Sequence, residues 1–294
     1  MQSSPISFIG AGDVRLAGDA WGPPDGPPIV FLHGGGQTRH AWGGTAAAVA
    51  RAGAYAISLD HRGHGDSGWP TDGNYDLATF SKDVCAVAHQ LGGPPVVVGA
   101  SLGGLAGLLA EGENGPLLRA LVLVDVAPRM EQDGVAKIIN FMATGLDGFA
   151  SLEEAADSIA AYLPNRKRPR DIGGLAKNLR QRDDGRWHWH WDPRFIRRER
   201  GDHTFSVERM EAAAHHIKAP TLIVRGRMSD VLSLEGVAAL RALVPHAEYV
   251  DVAGAAHMVA GDENDAFSSA VIDFLAANNI IANSVARDRS LTTT

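Results

Sequence analysis

Short apolar runs, mostly β-branched, recur along the chain at Pro28 to Leu32, Tyr55 to Leu59, Val96 to Val98, Ala120 to Val124, Thr221 to Val224 and Glu248 to Val252. Runs of this length with little polar alternation predict strands covered on both faces. Between most of them the spacing of apolar positions changes to that of amphipathic helices, so the chain reads as a mostly parallel sheet flanked by helices. The opening segment differs: Ile6 to Ile9 and Val14 to Ala20 flank Gly10-Ala11-Gly12, which predicts an antiparallel hairpin on the sheet edge. Glycine and proline clusters at Gly22 to Pro28 and Gly92 to Pro95 punctuate the approaches to strands. No internal repeat is visible.

From about Pro128 to about Ala219 the rhythm breaks, and helical patterns pass without a convincing strand. The expectation is an inserted helical cap over 128–219 interrupting a core formed by 1–127 and 220–282, followed by a frayed polar tail over 283–294. The insertion holds a basic run, Arg166-Lys167-Arg168-Pro169-Arg170, which reads as a solvated surface rather than a phosphate site. It also holds Trp187-His188-Trp189-His190-Trp191-Asp192-Pro193, with three of the six tryptophans of the chain. Alternation would put those rings on one side of an extended segment, where Trp187, Trp189 and Trp191 either wall an apolar pocket or form the core of the insertion itself. His188 and His190 lack the carboxylate or cysteine partners that a metal site requires, so no metal is expected.

The chain has 294 residues, enough for one large core with an excursion, and 45 % of them are apolar. A formal net charge of −7 argues against a nucleic-acid or anionic-membrane footprint and favours a small neutral or weakly polar substrate. A single cysteine, Cys85, excludes an internal disulfide, and no basic segment followed by an apolar signal core opens the chain, which together suggest a cytoplasmic protein. Cys85 falls in a helical pattern and reads as a small buried apolar residue. No apolar run approaches the roughly 20 residues that span a bilayer. A homo-oligomer is compatible with the sequence.

Candidate chemistry centres on Gly99-Ala100-Ser101-Leu102-Gly103, directly after Val96-Val97-Val98 and before the small-residue helix Gly104 to Ala110. Glycines two residues before and after Ser101 leave room for a sharp strand-to-helix turn that exposes its hydroxyl. A serine hydroxyl needs a base and a group that orients the base. His257 follows the last predicted strand and Asp230 follows the strand before it, giving the chain order serine, acid, histidine. Asp125, closing Ala120 to Val124, is the alternative acid. The amide of Leu102 and an amide of His33-Gly34-Gly35-Gly36-Gln37, taken to be that of Gly35, would receive a developing oxyanion, with Gln37 near the substrate. That glycine loop lacks the lysine and hydroxyl spacing of a phosphate loop. His33, His61 and His64 read as structural, and His215 and His216 as surface or hinge positions.

These motifs resemble the α/β-hydrolase superfamily over about residues 5 to 280. The resemblance rests on His33-Gly34-Gly35-Gly36, on Asp60-His61-Arg62-Gly63-His64-Gly65-Asp66-Ser67, on Gly99 to Gly104, on Gly226 with Asp230, and on Gly254 with His257. It implies an eight-stranded, mostly parallel sheet, a helical cap between strands six and seven, no cofactor, and Ser101, Asp230 and His257 as nucleophile, acid and base. Asp230 is favoured over Asp125 because the run from Gly226 resembles the acid loop usual in α/β hydrolases. Ala100 stands where such chains usually carry a histidine, a change expected to alter packing at the elbow rather than catalysis.

A serine nucleophile separates the chain from epoxide hydrolases and haloalkane dehalogenases of the same fold, which attack with aspartate. Serine attack on an alkyl carbon would leave an ether that water does not cleave, so the substrate should carry an acyl carbon. Hydrolysis of a small carboxylic ester or lactone is favoured. The alternatives are carbon–carbon bond hydrolysis of a β-diketone or ring-fission product, and a noncatalytic small-molecule-binding member of the fold.

Overall fold

In a computed structural model of the chain, the described residues are 1–162, 172–197, 206–253 and 265–282, less the side chains of residues 176 and 177. His257, the basic run 166–170 and the tail 283–294 lie outside them. The strands are β1 (Ser4–Ile9), β2 (Arg15–Trp21), β3 (Pro28–Leu32), β4 (Tyr55–Leu59), β5 (Val96–Ala100), β6 (Ala120–Val124), β7 (Leu179–Gln181), β8 (Trp187–Trp189), β9 (Thr221–Gly226) and β10 (Glu248–Val252). The helices are α1 (Gly43–Arg51), α2 (Leu77–Gln90), α3 (Leu102–Asn114), α4 (Gln132–Ala143), α5 (Leu152–Tyr162), α6 (Val207–His216), α7 (Leu234–Leu243) and α8 (Asp265–Ala277).

Eight strands form one sheet in the order β1-β2-β4-β3-β5-β6-β9-β10. The β1–β2 hairpin pairs antiparallel at the edge, β2 joins β4 antiparallel, and every other pairing in the sheet is parallel. The uninterrupted apolar strands follow from burial on both faces. Ile29, Phe31, Val96 and Val98 point to one side, where Trp42 and Val49 of the α1 region and Phe267, Val271 and Phe274 of α8 cover them. Val30, Leu32 and Val97 point to the other, under Phe80 and Val84 of α2 and Leu105 and Leu108 of α3. Each large apolar side chain so buried contributes roughly 1.5–3 kcal/mol. Among the described residues no helix is long and apolar enough to cross a membrane. Cys85 is only half-buried against the α2 side of the core.

Between β6 and β9 the chain leaves the sheet. This excursion contains α4, α5 and α6, but it is not wholly helical: β7 and β8 pair antiparallel, Leu179 opposite Trp189 and Gln181 opposite Trp187. Tryptophan and histidine alternate through β8, and the polar turn Asp183-Asp184-Gly185 closes the hairpin. The sequence pattern missed these strands because each spans only three residues. Met142, Phe149, Ala155, Leu179, Trp189 and Trp191 form the excursion's own core.

The excursion is tied to the sheet side by polar contacts. Asp192 donates its amide to Gly63 O at 2.8 Å, and its carboxylate accepts from Tyr75 Oη at 2.6 Å and Arg194 Nε at 2.8 Å.

Candidate active site

The turn between β5 and α3 is the single residue Ser101, held at φ 45° and ψ −113°. A residue with a Cβ occupies such a conformation only where its surroundings dictate it. The Ser101 amide donates to Val124 O of β6 at 3.2 Å, and its carbonyl accepts from the Leu105 amide at 2.9 Å. The flanking glycines let strand and helix approach. A Cβ at Gly103 would stand 2.5 Å from Leu32 O, one at Gly104 2.6 Å from Val126 Cγ1, and one at Gly99 would strike the Gly103 backbone. Leu102 opens α3, so its amide is among the first-turn donors that lack an intrahelical acceptor and lies at the positive end of the helix dipole.

The loop after β3 lies beside the elbow: a Cβ at Gly34 would be 3.4 Å from Ser101 Cβ. Gln37 closes this loop on itself. Its amide donates to Gly34 O at 3.1 Å, and its Oε1 accepts from the Gly34 amide at 3.0 Å. Among the described residues the Gly35 amide has no acceptor.

Four buried imidazoles complete the loop's support. Peptide N–H groups only donate and carbonyls only accept, so each partner dictates which ring nitrogen carries the proton. His33 Nδ1–H donates to Gly34 O at 2.7 Å, and its Nε2 accepts from the His61 amide at 3.0 Å. His61 Nε2–H donates to His33 O at 3.0 Å. His64 Nδ1–H donates to Arg62 O at 3.0 Å, and its Nε2 accepts from the Gly36 amide at 3.2 Å. His190 Nδ1 accepts from the Gly65 amide at 2.7 Å, and its Nε2–H donates to Gly36 O at 3.3 Å. The structural reading of His33, His61 and His64 agrees with these bonds; nothing in the sequence pattern points to this part for His190.

Burial and then the neighbouring His64 ring push His61 and His190 down to about 3, burial pushes His64 down to about 4, and burial with His61 holds His33 well below its ordinary value. Unfolded histidines titrate near 6.5. The native state therefore takes up fewer protons than the unfolded state below that pH, so the contribution to stability is complete above about 6.5 and is lost as pH falls toward the folded values. Each ring contributes a slope of up to about 1.4 kcal/mol per pH unit within that window. The melting temperature is expected to be level from pH 8 to 7 and to fall steeply below pH 6; a level profile down to pH 5 would contradict this account.

The two candidate acids stand in different surroundings. Asp125 lies one residue past β6 at φ 52° and is fully buried. Its Oδ1 accepts from the Gly226 amide at 3.1 Å and its Oδ2 from Ser229 Oγ at 2.6 Å. Asp230, the acid favoured by the loop pattern, is 54 % exposed in its side chain and pairs with Lys137 Nζ of α4 at 3.0 Å. The C-terminal ends of β5, β6, β9 and β10 lie side by side, which brings Ser101, Asp125 and the loop bearing Asp230 to one edge of the sheet; His257 lies outside the described residues.

Two residues beside the loop had no sequence signal. A Cβ on Gly36, whose φ is +75°, would be 2.7 Å from Met142 Cε, and one on Gly35 would be 3.4 Å from Phe195 Cζ. Phe195 also meets His64 and Tyr75 edge-on, with ring centroids 4.8 and 5.7 Å away. The tryptophans behave otherwise. Trp189 and Trp191 stack at 6.4 Å and are 7 % and 2 % exposed within the excursion's core, Trp189 donating Nε1–H to Thr144 O at 2.9 Å. Trp187 is half-buried, and its backbone bridges to Phe149. Trp189 and Trp191 thus pack within the core of the excursion. Trp191→Ala is accordingly expected to lower stability by about 3–5 kcal/mol while leaving the preference among esters unchanged, as read from urea unfolding and from rates on small and bulky esters.

His188 bonds Asp184 at 2.8 Å and His190 the loop, so the two do not converge, and no group of metal-ligating side chains occurs among the described residues.

With this sheet order and elbow, the chain belongs to the α/β-hydrolase family, whose model matches residues 29–270. It is 31 % identical over 254 residues to the esterase Rv0045c of Mycobacterium tuberculosis, covering 83 % of this chain and 80 % of that one. It is 29 % identical over 276 residues to the 3-hydroxybutyrate-oligomer hydrolase of Cupriavidus necator, covering 87 % and 93 %. Among solved structures, that of the mycobacterial esterase superposes with a TM-score of 0.73 at 27 % identity over 94 % of this chain and 92 % of that one. The structure of E-2-(acetamidomethylene)succinate hydrolase shares the fold with a TM-score of 0.80 at 21 % identity, over 93 % and 99 %.

Proposed function

We propose that the chain hydrolyses a small carboxylic ester through an acyl-Ser101 intermediate. The observation that carries this reading is the strained Ser101 elbow beside a glycine loop whose Gly35 amide has no acceptor among the described residues. Ser101 Oγ attacks the carbonyl carbon and passes its proton to His257. The amides of Gly35 and Leu102 stabilise the oxyanion, and collapse of the tetrahedral adduct expels the alcohol, which takes the proton back from His257. Water deprotonated by His257 then attacks the acyl carbon, releasing the carboxylic acid and restoring Ser101.

A carboxylate orients His257, and burial with two donated hydrogen bonds supports Asp125 over Asp230 for that part. Residues 128–219 act as a cap on the core of 1–127 and 220–282, and Met142 and Phe195 lend the substrate cleft apolar surface beside the glycine loop. Gln37 serves as a brace of that loop. Similarity to esterases over most of the chain supports an oxygen ester as substrate.

The test is stoichiometric labelling by a fluorophosphonate, with the adduct located at Ser101 by mass spectrometry, beside a panel of p-nitrophenyl esters, lactones and β-diketones. Labelling with ester turnover is expected. An unlabelled protein that binds but does not turn over would mark a noncatalytic member of the fold, and β-diketone cleavage without ester turnover would move the assignment to carbon–carbon hydrolysis.

A further inference from the structure

We propose that His190 of the cap is a positioning residue for the oxyanion loop: its Nε2–H···O=C bond to Gly36 fixes the loop in the shape that presents the Gly35 amide, so that the hole is complete only when the cap is seated. The proposal rests on the reading of Ser101 and Gly35 above.

Three successive glycines leave the loop backbone without Cβ restraint, and such a segment holds one conformation only if bonds from outside impose it. Gly34 is pinned by Gln37 and His33. Gly36 is pinned on both of its peptide groups, its amide by His64 Nε2 and its carbonyl by His190 Nε2–H. Gly35 lies between these clamps, and the direction of its amide follows from them. Of the four side chains, Gln37, His33 and His64 stand near the loop or in the turn after β4, whereas His190 arrives from the excursion, just after β8 and 154 positions away in the chain.

The placement of His190 is itself well determined. Its amide donates to Asn178 O at 3.2 Å, its Nδ1 takes the Gly65 amide at 2.7 Å, and two residues on Asp192 anchors the segment to Gly63 and Tyr75. Met142, also from the cap, stands where any side chain on Gly36 would go. Cap and loop therefore meet at the Gly36 peptide through the His190 hydrogen bond and the Met142 contact, flanked by Phe195 beside Gly35 and by Thr38 Oγ1 donating to Asn178 Oδ1 at 3.2 Å.

The two ring nitrogens can be replaced one at a time. In His190→Asn the side-chain amide stands where Nδ1 stood and can still meet Gly65, but nothing reaches Gly36 O. In His190→Gln the terminal amide reaches the Nε2 position and can still donate to Gly36 O. Steady-state rates on an ester turned over by the wild type, the rate of fluorophosphonate labelling of Ser101 and the melting temperature are measured for both. Arg209→Ala serves as the control, since it removes a cap–core ion pair, Arg209 Nε to Glu113 Oε1 of α3 at 2.7 Å, without touching the loop or the segment that carries His190.

The expected result is a fall of about tenfold or more in kcat and in labelling rate for H190N with KM little changed, less than the 10²–10³ lost when an oxyanion donor is deleted outright. H190Q and R209A should both remain within about threefold of wild type in kcat. Equal losses in H190N and H190Q, a like loss in R209A, or wild-type rates in H190N would each overturn the proposal. Should H190N not fold, a folded H190Q decides alone, supporting the proposal within threefold and overturning it at a tenfold loss. A wild-type protein that fluorophosphonate does not label at Ser101 overturns the underlying reading and this proposal together, whereas labelled wild type with indifferent variants overturns only the latter.

Discussion

Ser101→Ala is expected to abolish turnover, with kcat lower by about 10⁶, the loss found when the serine of a comparable triad is removed. The substitution deletes a single oxygen. The two backbone hydrogen bonds that hold the elbow, from the Ser101 amide to Val124 O and from the Leu105 amide to Ser101 O, involve no side-chain atom and survive. Alanine tolerates φ 45° about as poorly as serine does, so the elbow's strain is unchanged. Melting should therefore stay at the wild-type value while fluorophosphonate labelling disappears. A folded S101A protein that keeps near-wild-type ester hydrolysis would remove the nucleophile assignment.

The second large effect separates the two carboxylates. Asp125→Asn is expected to lower kcat by about 10⁴, as happens when the orienting acid of a triad becomes an amide and the histidine takes the wrong tautomer. Two donors, the Gly226 amide and Ser229 Oγ–H, aim at opposite oxygens of Asp125. Asparagine accepts through one oxygen only, so one donor would face an NH₂ group in a fully buried site, at about 1–3 kcal/mol. The variant should thus be measured below its own melting transition. Ser229→Ala provides a milder check, removing one bond to Asp125 while keeping the charge, and a loss of only a few-fold is expected. Asp230→Asn breaks an exposed pair with Lys137 and should cost less than tenfold. A 10⁴ loss in D230N beside a mild D125N would return the acid to the loop that the sequence favoured.

Much of this architecture could be read along the chain because the signals are local. All six apolar runs became strands of the sheet, two of them longer than expected by two residues, and the opening hairpin pairs at the edge. The elbow could be read for the same reason, since Gly99, Gly103 and Gly104 are spaced by the contacts they make with each other and with the strand beside them. The β7–β8 hairpin escaped notice, as three residues per strand are too few to establish a period. The acid was harder. Asp125 and Asp230 both follow strand ends, and what distinguishes them is burial and hydrogen bonding across neighbouring strands.

The sequence by itself determined the parallel sheet and its glycine elbow, because a strand buried on both faces must be apolar throughout and a one-residue turn must be flanked by glycine, whatever lies elsewhere in the chain. Only the tertiary structure decided that Trp189 and Trp191 pack inward, that Met142 and Phe195 stand by the glycine loop, and that His190 closes on Gly36. Those choices depend on which face of the excursion meets the sheet edge. That docking brings together residues more than a hundred positions apart, and no periodicity in the chain records it.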